Sequence, residues 1–196
     1  MNIAFFASYN GSSAQAITDA CLKSDLIASP VLLISNNKSA TAVQWAKNKG
    51  LKTFILNSAT HPDPADLDHA IADKLKEHKI NIVCCSGYMK LIGTKTIHAV
   101  SGKILNIHPA LLPKYGGKGM YGDHVHQAVK DNGDSKTGST IHLVNDKYDE
   151  GRILAQNHIA LSSTDTATDI ANKVKTAEPQ FYVDTLRQIL KGEIAL

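Results

Sequence analysis

Apolar positions along this chain cluster into short blocks, separated by polar turns and by stretches with helical spacing. Residues 2–7, 30–35, 52–56 and 80–85 are apolar runs of strand length, bounded by Gly, Ser, Asn or Pro. Such runs read as strands buried on both faces. Between them, residues 14–23, 40–49 and 64–78 read as helices, with Gly50 in the C-cap place and Pro64 at a helix start. Strands alternating with helices predict a mostly parallel, twisted sheet with helices on both faces. No repeat, low-complexity stretch or linker interrupts it, so residues 1–196 are expected to form a single α/β domain.

The second half is less regular. Residues 104–109 read as a short buried strand ended by Pro109. Residues 137–145 and 153–161 read as two further strands, and 164–175 as a helix capped by Ser163 or Thr164. Pro179 disfavours helix at Glu178, so a break is expected there, with helix resuming over 180–190.

Several polar positions stand out against this pattern. Side chains alternate along a strand, so Asn106 and His108 share one face at the strand's C-terminal end, where open α/β sheets hold their ligands. The residues alone also fit a core strand with a frayed polar end. The turn Ser8-Tyr9-Asn10-Gly11-Ser12-Ser13 precedes a helix; it fits an anion cradle or a plain N-cap by Ser12 or Ser13. The loop Ser86-Gly87-Tyr88-Met89-Lys90-Leu91-Ile92-Gly93 fits packing or the wall of a pocket for a flat ring system. The glycine-rich residues 117–123 fit a flap or a tight surface loop. Gly151 is expected to make the turn that aims Asp149 and Glu150. Glu178, at the expected helix break, is placed to accept hydroxyl donors.

Composition narrows the function classes. Of 196 residues, 43% are hydrophobic and 20% charged, so one real core is available. No apolar run is long enough to cross a bilayer, and residues 1–8 read as a strand, not a signal peptide. The net charge of +3 comes without any block of Lys or Arg. That argues against a nucleic-acid face and suits small anionic substrates. Cys21, Cys84 and Cys85 form no Cys-x-x-Cys pair and read as reduced core residues of a cytoplasmic protein. His124 and His126, two apart at a helix start, point to different faces, and no ligand cluster completes a metal site.

The stretch Asn106-Ile107-His108-Pro109-Ala110-Leu111-Leu112-Pro113-Lys114-Tyr115 resembles the signature of the folate-dependent formyltransferases. A second stretch, Gly138-Ser139-Thr140-Ile141-His142-Leu143-Val144-Asn145-Asp146-Lys147-Tyr148-Asp149-Glu150-Gly151, supports the resemblance in the family's order and spacing. The resemblance covers nearly the whole chain and implies a Rossmann-like formyltransferase fold. It implies 10-formyltetrahydrofolate as co-substrate without a metal, and the amine of 5-phosphoribosylglycinamide as acceptor. It assigns catalysis to Asn106, His108 and Asp149, with Asp149 orienting His108 and raising its pKa. It places the acceptor's phosphate at Gly11, Ser12 and Ser13 and its ribose at Glu178. It gives the folate site to Met89, Lys90, Leu91 and Ile92 together with Asn106. The chain departs from the family at Ser13, where Asn is usual, and in residues 57–66, which lack the family's Arg. The expected partners are small molecules, not nucleic acid or membrane, for a monomer or homodimer. The alternatives are a formyltetrahydrofolate hydrolase, a formyltransferase for another amine, or a non-catalytic nucleotide-binding module.

Overall fold

The structure, a computed structural model, describes residues 1–196. In chain order the elements are β1 (Asn2–Phe6), α1 (Ser12–Leu22), β2 (Ser29–Ser35), α2 (Thr41–Asn48), β3 (Lys52–Ile55), α3 (Pro64–Glu77), β4 (Ile82–Cys85) and α4 (Thr94–Ala99). They continue with β5 (Ile104–His108), α5 (Asp123–Asp131), β6 (Lys136–Thr137), β7 (Thr140–Leu143), β8 (Ile153–Gln156), β9 (Ile159–Ala160) and α6 (Ala167–Leu190). Seven strands form one sheet in the order β3-β2-β1-β4-β5-β7-β8. The pairs from β3 through to β5 are parallel, and β7 and β8 add an antiparallel edge. The strand order reverses at β1, which has β2 on one side and β4 on the other. A crevice therefore opens beyond the C-terminal ends of β1, β4 and β5.

Strand alternation builds two cores. Ile3 and Phe5, with Leu33, Cys84 and Leu105, pack against α1, α2 and α6. Ala4 and Phe6, with Ile34, Val83 and Ile104, pack against α3 and the loops beside it. Tyr182 of α6 is fully buried and donates its hydroxyl to the Leu105 carbonyl at 3.0 Å, which locks the last helix to β5.

Several expectations are corrected. Helix α1 begins at Ser12, with Gly11 as its N-cap at φ 65°, and no side chain caps it. The segment 137–145 is not one strand. It splits at Gly138, where the backbone packs on the Asn157 carbonyl too closely for any side chain. Its first part, β6, pairs with β9 in a small separate sheet, while β7 pairs with β5 and β8. The segment 153–161 splits correspondingly into β8 and β9. Helix α4 follows the loop 86–93, in residues to which the sequence assigns no element; the Asp68 carboxylate caps it, accepting from the Lys95 and Thr96 N–H groups at 2.9 Å.

Helix α6 runs unbroken through Pro179 and is capped by Thr166 in a capping box with Asp169, not by Ser163 or Thr164. An interior proline removes one hydrogen bond and costs about 3 kcal/mol. Burial of Ile170, Val174, Tyr182, Val183 and Leu186 along one face offsets it, at roughly 1.5–3 kcal/mol for each large apolar side chain.

Candidate active site

Residues beyond the ends of β1, β4 and β5 enclose a cavity of about 850 Å³. Every site residue singled out from the sequence lines it: Gly11 to Ser13, Met89 to Ile92, Asn106, His108, Asp149 and Glu178.

Asn106 and His108 lie on β5, with Leu105 and Ile107 turned into the opposite core. The antiparallel register sets His142 of β7 opposite Asn106. Asn106 Nδ2 lies 3.1 Å from His142 Nε2, and His142 Nδ1 lies 2.9 Å from the Leu143 carbonyl oxygen. A carbonyl only accepts, so Nδ1 of His142 carries a proton and its Nε2, in the neutral ring, accepts from Asn106. This orients the Asn106 amide and leaves its second N–H for the cavity.

His108 is 3% exposed. Its Nε2 donates to the Tyr115 carbonyl at 2.7 Å, and its Nδ1 lies 3.5 Å from Asp149 Oδ2. Burial pushes the His108 pKa down, and Asp149 and the Tyr115 carbonyl push it up without overcoming that effect. Asp149 thus raises the pKa as expected, but desolvation of the ring outweighs one carboxylate and the net shift is a fall. The Tyr115 carbonyl holds the proton on Nε2, so Nδ1 is the basic nitrogen of the neutral ring.

Asp149 sits in the loop after β7 at φ 58°, so the left-handed residue of this turn is Asp149 itself and not Gly151, which the sequence marks for the turn. Gly151 serves instead as a close approach to the Leu143 carbonyl, which would stand 1.7 Å from an added Cβ. The Asp149 carboxylate accepts from the Gly117 N–H at 3.0 Å and lies 3.5 Å from His142 as well as His108. Burial pushes its pKa up, but His142, His108 and the Gly117 N–H together hold it below the usual carboxylate range. Asp149 is ionised at neutral pH.

At the far end, α1 presents its N-terminus to the cavity. The Ala14 N–H is taken by Ser86 Oγ at 3.2 Å and the Gln15 N–H by the Gly11 carbonyl at 3.0 Å. The Ser12 and Ser13 N–H groups remain free to meet an anion, which the helix dipole favours. The loop with Met89 to Ile92 is tied to the end of β1: Ser8 Oγ accepts from the Met89 N–H at 2.9 Å, and the Ser8 N–H donates to the Gly87 carbonyl at 3.0 Å. Ile92 is buried in the α3 core, while Met89 and Leu91 stay exposed as apolar wall.

Glu178 lies inside α6, not at a helix break. Burial pushes its pKa up to about 7, against a Ser139 hydroxyl at 3.4 Å and the Lys175 charge, which pull it down. Sequence reasoning missed His142, Lys175 and His126, which also line the cavity. His142 carried a signal, since it alternates with Leu143 inside the second motif. Lys90, Lys118, Lys147 and Lys175 line the cavity together with Asp123, Asp149 and Glu178, an excess of cations that suits anionic ligands. No helix is long and apolar enough to cross a membrane.

The formyl transferase family profile matches residues 1–186. The chain is 36% identical over 194 residues to a chloroplastic phosphoribosylglycinamide formyltransferase of Arabidopsis thaliana, covering 98% of this chain and 66% of the relative. It is 32% identical to the phosphoribosylglycinamide formyltransferase of Bacillus subtilis, covering 95% of this chain and 93% of that protein. The crystal structure of the Bacillus halodurans phosphoribosylglycinamide formyltransferase superposes with a TM-score of 0.88 at 30% identity, covering 97% of this chain and 95% of that one. The profile match over most of the chain, together with relatives at 30–36% identity, establishes that the chain belongs to the formyl transferase family.

Proposed function

We propose that this protein transfers the formyl group of 10-formyltetrahydrofolate to the amine of 5-phosphoribosylglycinamide, a step of purine biosynthesis. The observation that carries this reading is that Asn106, His108 and Asp149 line one cavity together with the apolar Met89 and Leu91 and the N-terminus of α1. The cavity volume of about 850 Å³ lies within the range of ligand sites. Met89, Leu91 and Ile92 wall the side assigned to the flat pterin; Ser12, Ser13 and Glu178 receive the phosphoribosyl part.

The acceptor's amine is itself the nucleophile, so no activated Ser or Cys is needed. Asn106, held by His142, donates its free N–H to the oxygen that gains charge as the new N–C bond forms. His108, kept neutral by burial, takes the amine's proton on Nδ1 and returns it to the departing nitrogen of the folate as the old C–N bond breaks. Asp149, ionised beside Nδ1, stabilises the imidazolium formed in between.

Formyl transfer to glycinamide ribonucleotide, measured beside release of free formate, tests the reading. Stoichiometric transfer supports it. Formate release without transfer selects a hydrolase, and neither activity selects a binding module.

A further inference from the structure

The spacing of His124 and His126 puts them on different faces of a helix, and the structure has them so. His124 is exposed and meets Tyr121 edge-on at 5.7 Å. His126, on α5, is 2% exposed and lines the cavity. The other buried residues of α5, Val125 and Val129, are apolar and fill the helix's inner face. A buried imidazole fills such space at a greater cost than valine unless its nitrogens find partners.

The protein offers none. Nδ1 of His126 is enclosed with no hydrogen-bond partner. Nε2 makes no hydrogen bond and is not enclosed as Nδ1 is, so it is the ring nitrogen through which His126 can reach the cavity that it lines. A neutral ring has a single N–H, and an orphaned lone pair is tolerated more readily than an orphaned N–H. The proton therefore sits on Nε2 and points at whatever fills the cavity. His126 is within electrostatic reach of Lys175, Asp123 and His108. Lys175 stands three residues before Glu178, on the same face of α6. A lysine and an imidazole N–H together suit phosphate oxygens, whereas a carboxyl such as Glu178 suits hydroxyls.

We propose that His126 binds the phosphate of the phosphoribosyl acceptor by donating a hydrogen bond from Nε2 beside Lys175; this rests on the acceptor assigned above. Ribose 5-phosphate titrated calorimetrically onto the full chain is the direct test, with the wild type compared with His126→Leu and His126→Gln. The Leu variant is expected to bind about tenfold more weakly, and the Gln variant, whose amide N–H reaches a similar position, to recover most of the loss. In steady state the Leu variant raises the KM for glycinamide ribonucleotide by a similar factor and leaves the KM for the formyl donor within about twofold. Glycinamide riboside, which lacks the phosphate, loses nothing between wild type and variant. Equal losses for riboside and ribonucleotide, or a loss confined to the formyl donor, overturn the proposal. Should the Leu variant not fold, the wild-type His126 ring resonances decide: a shift on adding ribose 5-phosphate supports the assignment, and unmoved resonances overturn it. A wild type that does not formylate glycinamide ribonucleotide refutes the proposed acceptor, while the ribose 5-phosphate titration still decides the role of His126.

Discussion

Asp149 holds its Oδ2 3.5 Å from Nδ1 of His108 while its own backbone stays left-handed at φ 58°. A non-glycine residue in that conformation costs of order 1 kcal/mol. The Gly117 N–H, accepted at 3.0 Å, holds the carboxylate there. His108 and Asp149 are thus brought together from segments about forty residues apart in the chain.

Removing that counter-ion is expected to reduce turnover without much effect on ground-state binding. Asp149→Asn should lower kcat by about 10²-fold or more and leave both KM values within a few fold. Since Asp149 raises the His108 pKa against burial, the acidic limb of the pH profile of kcat/KM should move to lower pH in the variant. Near-normal turnover, or a limb that moves upward, would show that Asp149 does not act on His108.

Asn106 is held by His142 with its second N–H free, so the sign of its side chain matters more than its size. Asn106→Asp places an anion where negative charge develops and is expected to cost at least about 10²–10³ in kcat. His142→Leu should cost less, because it lets the Asn106 amide rotate but leaves a donor in place. Steady-state rates of both variants, with circular dichroism as a folding control, give the comparison; an active Asn106→Asp protein removes the oxyanion role.

The helix end predicts a contrast between backbone and side chain. Ser12→Ala and Ser13→Ala remove hydroxyls that cap nothing and should cost roughly 1 kcal/mol or less in acceptor affinity. Gly11→Val should be severe: the position has φ 65°, and a Cβ there would meet the Ala42 side chain at 3.1 Å. The acceptor without its phosphate should bind the wild type weakly and lose little further in Gly11→Val. Losses that simply add would place the phosphate elsewhere.

Glu178 sets stability against binding. Its folded pKa of about 7 exceeds the ordinary value of 4.5, so the folded state binds more protons between those pH values. Stability is then lost as pH rises through that window, and the ionised group is a burden above it. Glu178→Gln is expected to raise the melting temperature at pH 8, by roughly 1–3 kcal/mol of stability at most, with little change at pH 4. The same variant should weaken acceptor binding. Thermal melts at both pH values check the first effect and KM the second.

Much of this protein was legible in one dimension. Apolar runs at 2–7, 30–35, 52–56 and 80–85, separated by helical spacings, determine the parallel half of the sheet, because strand and helix periods are local properties. Alternation along 104–108 determined that Asn106 and His108 share a face, and Pro109 that the strand ends there. The turn at Gly11 was visible for the same reason. The tertiary structure alone decided what stands opposite these residues and how wet they are. His142 meets Asn106 only through the register of β5 on β7, and β6 leaves that register at Gly138 to pair elsewhere. Pro179 argues locally for a break that packing of the whole α6 face overrides. The pKa values of His108 and Glu178 move with burial, which depends on chain folded over them from distant segments; charge partners alone would have moved both the other way.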